Sequence, residues 1–310
     1  MPVLRFVAST LLTLFLVSGL TFPLLELHSD PTAEVLQSTR GDQDARQQAA
    51  RVILERTGRI DPETGEERSL PARYFAWLGR VVQLDLAPAG ETEEAFRRRF
   101  LQALGVSFGL ALAAFLFALG LGGPLGVWLG MHHGRLEERL ASALILTLTV
   151  LPSFVIATLL LLGLRLACGL DWPLVFAVVT LAAAPFAAAA RLVHSNVRAL
   201  ESAPFIRHLR HQGASPSEIA GSLRLHALGA VRAQSGAWLP SLMTGSVIVE
   251  SVFELPGLGR LFLNALDTQD VPTVLLVTTL SAFLVSIAWT VTDLWQRMAD
   301  PRTRLPEGVG

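Results

Sequence analysis

"HLRHQGASPSEIAGSLRLHAL", residues His208 to Leu228, is a polar stretch set between two long apolar runs. Its arginines, histidines and glutamate do not suit a hydrocarbon core, and its Gly-Ala-Ser-Pro centre breaks it in two. Pro204 suits a first helical turn, the helix continues through "FIRHLRHQ", and Gly213 supplies the left-handed stop frequent at helix C-termini. Ser215 is then a good N-cap, Pro216 fits the first helical position, and Glu218 falls at the third. That Ser-x-x-Glu spacing predicts a capping box opening a second short helix. Ile219, Ala220, Leu223 and Ala227 share one side of it, giving an apolar stripe that has to lie on membrane or protein. Apolar runs on both sides, an even charge mix and no basic recognition face argue against a DNA-reading helix-turn-helix, and no nucleic-acid partner is expected.

The surroundings of this jointed pair set the fold class. Of 310 residues, 51% are hydrophobic and only 16% charged, and the mean hydropathy is +0.48, well above the usual range for a soluble domain. A helix crossing about 30 Å of hydrocarbon needs about 20 apolar residues. Six runs qualify: Phe6 to Leu27, Ala103 to Leu129, Leu140 to Leu164, Trp172 to Ala190, Ala237 to Phe253, the shortest, and Val274 to Trp295. The expectation is an all-α polytopic membrane protein of about six transmembrane helices, in contact with membrane lipid. The first run exceeds a signal-peptide core and lacks a clean cleavage site, so it reads as a retained anchor. The prolines Pro124, Pro152, Pro185 and Pro240 are expected to kink or break the spans.

The chain contains no lysine, so arginine alone sets orientation. With a cytoplasmic N-terminus, the short inner segments hold Arg5, Arg135, Arg139, Arg191, Arg198, Arg207, Arg210, Arg224, Arg232, Arg297, Arg302 and Arg304, against Arg165 and Arg260 outside, which fits the positive-inside rule and leaves both termini cytoplasmic. The expected organisation is an anchor over 1–27, a polar extracytoplasmic subdomain over 28–99, a core over 100–299 containing the polar loop 191–236, and a cytoplasmic tail over 300–310. Within the subdomain, "DARQQAARVILERTG" reads as a helix stopped at Gly58, "DPETGEE" as an exposed turn, and "LPARYFAWLGRVVQLDL" as a segment packed on the membrane face or span ends.

Two serines lie in patterns that invite a catalytic reading. "GVSFG", Gly105 to Gly109, matches the nucleophile-elbow pattern, but the elbow needs a strand turning into a helix and Ser107 opens a long apolar helical run. "GAS", Gly213 to Ser215, resembles the active-serine motif of rhomboid proteases, yet Ser215 sits in a polar loop and no span holds a histidine as base. A rhomboid-like protease and a passive channel are the alternatives. His208 and His211 lack acidic or cysteine companions and read as solvated residues, as do His132 and His133; no metal site is expected. The lone Cys168 excludes an internal disulfide. Without lysine there is no P-loop, so the chain is expected not to hydrolyse ATP itself; no cofactor bound by this chain is expected. Ser241, Thr244 and Ser251 lie at helical spacing and admit two readings, a pathway lining or a helix contact. The glycines of "LGLGGPLG" are read as a close helix-packing surface.

The loop at His208–Leu228 resembles the EAA coupling loop of ABC importer permeases, specifically the membrane subunits of dipeptide, oligopeptide and nickel importers. "VIVESVFELPGLGRL", Val247 to Leu261, is similar to that family's segment at the end of the fifth span, and "DPRTR", Asp300 to Arg304, to its ending. "LRFVASTLLTLFLVSGLTFPLLEL", the following "SDP" and "YFAWL" resemble the N-terminal region of the B-type subunit. The resemblance implies a type I ABC importer-like permease, a second homologous permease subunit, two cytoplasmic ATPase subunits that carry ATP and Mg, an extracytoplasmic substrate-binding protein, and a bacterial cytoplasmic (inner) membrane location. It assigns Arg210, Gly213, Ala214 and Ser215, continuing through Pro216 and Glu218, to the ATPase-coupling loop, and Glu250, Phe253, Pro256, Gly257, Leu258 and Gly259 to the external turn. The usual Arg-Ala-Lys-Gly is here Arg210, His211, Gln212, Gly213. Gly229 and Ala230 stand for a common Arg-Asn, and Gln234 for a proline.

Overall fold

In a computed structural model, the described residues are 2–28, 48, 50–52, 54–55, 58–61, 64–83, 87, 91–169 and 172–299. The "SDP" and "DPRTR" strings, the tail 300–310 and part of the "DARQQAARVILERTG" helix lie outside them. Helices with described bounds are α1 (Pro2–His28), α2 (Leu70–Gln83), α3 (Glu93–Met131), α4 (Leu136–Val150), α5 (Ser153–Cys168), α6 (Pro173–Glu201), α7 (Pro204–His211), α8 (Pro216–Ser235), α9 (Trp238–Val252), α10 (Leu258–Asp267) and α11 (Val271–Ala299). Among the described residues, four helical stretches are long and apolar enough to cross a membrane alone: Ala8–Leu27, Glu93–Met131, Pro173–Glu201 and Val271–Thr292. A fifth crossing exists if the pair Leu136–Val150 and Ser153–Gly163, bent by 112°, counts as one. The expected fifth run, Ala237 to Phe253, forms the 15-residue α9, roughly 22 Å long and short of the hydrocarbon thickness.

Proline gives three different outcomes. The expected span Leu140 to Leu164 is interrupted because Pro152 disfavours the helical region for the residue before it, and Leu151 is extended at φ −68°, ψ 127°. The Pro152 carbonyl then accepts from Val155 and Ile156 N–H at 3.0 and 3.3 Å, opening α5. Pro124 and Pro185 instead sit inside unbroken helices. Pro240 occupies the first turn of α9, where no intrahelical donor is needed.

The chain divides into two compact units, residues 1–106 with 256–284, and residues 107–255 with 285–310. In the first, Tyr74 and Trp77 of α2 pack with Phe22 of α1 and with Val271 and Leu275 of α11. The buried Ser18 hydroxyl meets the Tyr74 hydroxyl at 2.9 Å, and Glu26 pairs with Arg73 at 3.0 Å and Arg59 at 2.6 Å. The "LPARYFAWLGRVVQ" segment is thus a helix fastened to the first span. Gly58 ends its segment at φ +77°, and a turn closes between Asp61 and Glu66, N–H to carbonyl at 2.9 Å.

The second unit is built round α6, whose buried face is mostly alanine and valine and which packs against α4, α5, α7, α8 and α9. Small side chains let α3 approach closely. A Cβ on Gly122, Gly126 or Gly130 would come within 3.0 Å of Phe186 and Ala189, of Ala190 and Val193, or of Val197. These glycines recur every four residues, so they form one seam along α3. At the α8–α9 junction, a Cβ on Gly236 would fall 2.5 Å from the Thr292 methyl of α11.

Candidate functional site

The jointed polar pair is α7 and α8. Helix α7 ends in a Schellman motif: Gly213 sits at φ +78°, its N–H donates to the Arg210 carbonyl at 3.1 Å, and Ala214 N–H donates to the Leu209 carbonyl at 3.1 Å. One residue later Ser215 caps α8. Its Oγ accepts from Glu218 N–H at 3.4 Å, while its own N–H and Oγ–H donate to Glu218 Oε2 at 2.7 and 2.8 Å. These bonds favour the carboxylate and hold the exposed Glu218 below the ordinary glutamate pKa, the bond from the Ser215 N–H contributing most. Pro216 occupies the first helical position. Two helices are therefore joined by four residues, Gln212 to Ser215, whose backbone is fixed on both sides.

Helix α7 is anchored by a single fully buried side chain, Ile206, and by Phe205, whose ring lies 4.9 Å from that of His226 on α8. Arg207, His208, Arg210, His211 and Gln212 are exposed, and His208 is 3.0 Å from the Gln212 amide. Helix α8 is longer than the short helix expected, 20 residues. Its stripe is buried at Leu223 and Ala227 and partly exposed at Ile219 and Ala220. Ala227 and Val231 pack with Val127 of α3 and Val193 and Val197 of α6, which carries α8 beyond the point where its polar N-terminal turn stops.

Helix α9 has two unlike faces. Leu242, Ser246, Val249 and Glu250 are buried, whereas Ser241, Thr244, Ile248 and Ser251 are exposed along one side. Ser241 and Thr244 donate to the Trp238 and Pro240 carbonyls of their own helix at 2.7 and 3.1 Å, which leaves their oxygen lone pairs outward. α9 ends in a second Schellman motif, with Glu254 at φ +54° and Leu255 N–H on the Glu250 carbonyl at 2.9 Å. Glu250 and Phe253 are buried, Pro256 is exposed, and Gly257, Leu258 and Gly259 are buried, with Gly257 as the N-cap of α10.

Sequence reading missed one contact. Ser107 Oγ donates to Glu250 Oε1 at 2.7 Å, with both side chains buried. The two residues are 143 positions apart, so no local pattern links them. The available signal was an ionisable residue near the end of an apolar run. This contact also disposes of the nucleophile elbow, since Ser107 lies inside the unbroken α3. Ser215 is likewise occupied as a helix cap.

The arrangement is that of a multi-pass permease: apolar helices around a small-residue core, with one exposed jointed helix pair. Residues 122–305 match the family described as "Binding-protein-dependent transport system inner membrane component", and the chain belongs to it. It is a membrane-spanning permease subunit of an ABC importer, working with ATPase and substrate-binding partners; the rhomboid-like protease is set aside by this membership. The dipeptide transport system permease protein DppB of Bacillus subtilis (strain 168) is 27% identical over 243 residues, 75% of this chain and 79% of the relative. The DppB of Lactococcus lactis subsp. cremoris (strain MG1363) is 29% identical over 255 residues, 78% and 83% respectively. The nickel import system permease protein NikB of Staphylococcus aureus (strain bovine RF122 / ET3-1) is 23% identical over 304 residues, 96% and 90%. Among solved structures, the inward-facing MetNI methionine ABC transporter superposes with a TM-score of 0.55 at 20% identity, covering 67% of this chain and 99% of the other. An amino acid ABC transporter superposes with a TM-score of 0.55 at 18% identity, covering 66% and 95%. Both share the fold.

Proposed function

We propose that this chain is the B-type permease of an importer that moves small peptides or peptide-like solutes inward by alternating access, with nickel as the alternative cargo. A second homologous permease completes the pore, two cytoplasmic ATPase subunits bind ATP and Mg, and an extracytoplasmic binding protein delivers the cargo. This chain itself contributes no ATPase site and no cofactor. Both termini face the cytoplasm of a bacterial inner membrane, in keeping with the arginine asymmetry.

The observation that carries the reading is the Gly213 joint between α7 and the capped start of α8. Helix α7 is short and mostly exposed, held by the buried Ile206 and by hydrogen bonds at its end, as suits an element that seats in the cleft of another subunit. Arg210, Gly213, Ala214, Ser215, Pro216 and Glu218 form the coupling loop. Closure of the ATPase pair moves α7, and α8, packed into the α3–α6 core, carries the displacement toward α9. The outward oxygens of Ser241 and Thr244, with Ser251 on the same face, line the path taken by cargo. The turn from Glu250 to Gly259, through Phe253, Pro256, Gly257 and Leu258, bounds its external end.

Affinity purification of the tagged chain from its native membrane, after mild cross-linking, is expected to recover an ATPase subunit and a second permease. Recovery of the chain without any ATPase subunit would overturn the proposal.

A further inference from the structure

Glu250 is an ionisable side chain with no exposed surface, set near the end of the apolar α9. An apolar residue would fill the same space without the cost of desolvating a carboxyl group at membrane depth. A buried carboxyl group there needs a reason beyond packing. One partner of that group is the Ser107 hydroxyl of α3, which donates to Oε1 at 2.7 Å. The main chain of the same residue holds the end of α9, since its carbonyl accepts from Leu255 N–H at 2.9 Å. Glu250 therefore ties the last turn of α9 to α3.

The neighbouring contacts are of another kind. Leu110 and Ala114 of α3, Ala177 and Leu181 of α6, and Val249 and Phe253 of α9 belong to one apolar cluster. Apolar contact is non-directional, and helices packed through it slide past each other by small shears. A hydrogen bond weakens steeply as its length and angle change, so it fixes register where apolar contact does not. Further along α3, Val127 packs with Ala227 and Val231 of α8, and a Cβ on Gly123 would lie 3.1 Å from a Leu228 methyl. The helix is unbroken between the two places, and Ser107 to Val127 spans roughly 30 Å at 1.5 Å per residue. Helix α3 thus touches the second helix of the jointed pair and is hydrogen-bonded to α9 about one hydrocarbon thickness away.

We propose that Ser107 is a positioning residue for transport: its hydrogen bond to Glu250 fixes the external end of α9 to α3, so that a displacement of α8 reaches that end of the cargo path through α3. This role rests on the reading of α7 and α8 as the ATPase-driven pair and of α9 as path lining, and it adds the route between them. Without the bond, α7 still follows the ATPases, but the last turn of α9 no longer does.

The test uses the assembled importer in lipid nanodiscs, in a Cys168→Ser background, with alkylation by a polar maleimide timed with and without ATP and vanadate. Single cysteines are placed by Ser251→Cys at the end of α9 and by His211→Cys on α7, both exposed positions. Each rate is expected to change with nucleotide. Ser107→Ala should abolish the change at Ser251→Cys, the ratio of the two rates falling to unity, and should leave the change at His211→Cys in place. The paired variant Ser107→Ala, Glu250→Met removes the orphaned carboxyl group as well as the bond. It should show the same loss, whereas a merely structural contact predicts recovery. Recovery in the paired variant overturns the proposal. So does an α9 end that responds equally in Ser107→Ala, or one that ignores nucleotide while α7 responds. If His211→Cys itself ignores nucleotide, the coupling reading falls and this role falls with it.

Discussion

At Gly213 the backbone stands at φ +78°, and a Cβ there would touch no heavy atom within 4 Å, so glycine supplies conformation and not room. Gly213→Val is expected to cost about 1–2 kcal/mol through the left-handed backbone alone and to turn the start of α8 away from α7. The checking measurement is solute taken up per ATP hydrolysed by the intact complex, which should fall; an unchanged ratio would show that the joint transmits nothing. Among the described residues, two hold the same backbone region without being glycine, Glu254 and Gln269, both at φ +54°. In each the Schellman bonds fix the turn, with Asp270 N–H reaching the Ala265 carbonyl at 2.8 Å in the second. The Gly213 stop and the Ser215–Glu218 cap were legible because their signals lie within a few residues of one another. Glu254 was not, because nothing in its residue type announces a positive φ.

Among elements, the α3–α6 seam is the most demanding contact. Gly126 faces the Ala190 carbonyl and Val193 so closely that no side chain fits. Gly126→Leu should therefore force the helices apart at a cost of about 1–3 kcal/mol or more, read as a lowered denaturation temperature in detergent. Gly120→Leu, at a glycine with nothing within 4 Å of its Cβ, should leave that temperature near wild type. "LGLGGPLG" showed in advance that this part of α3 packs closely. It did not show which glycines face α6, since Gly120, Gly122 and Gly123 are near neighbours in sequence and differ only by rotation about the axis. The prolines carry the same lesson. Pro124 and Pro185 are absorbed within helices, while Pro152 separates α4 from α5, and the surrounding packing decides between these outcomes.

For the whole molecule, the energy source is the separating question. A pore that opens only when α7 is driven should stay closed without its ATPases. Vesicles containing this chain and its partner permease alone are therefore expected to show no peptide flux down an imposed gradient, and addition of the ATPase subunits, the binding protein and ATP should start uptake. Flux from the permease pair alone would indicate a passive channel. Six apolar runs were visible in the sequence, yet the structure distributes them as four long helices, one bent pair and the short α9. The length of a run limits what can cross a bilayer, but it does not say whether the run stays straight.

What the sequence determined by itself was the all-helical membrane class, the break at Gly213 and the cap that follows. Hydropathy over about 20 residues and capping over four are short-range effects that no distant contact needs to complete. Only the tertiary structure decided that Ser107 meets Glu250, that Gly122, Gly126 and Gly130 rather than their neighbours face α6, and that α2 lies on α1. Each of these joins residues far apart in the chain, where the partner is chosen by how helices rotate and approach.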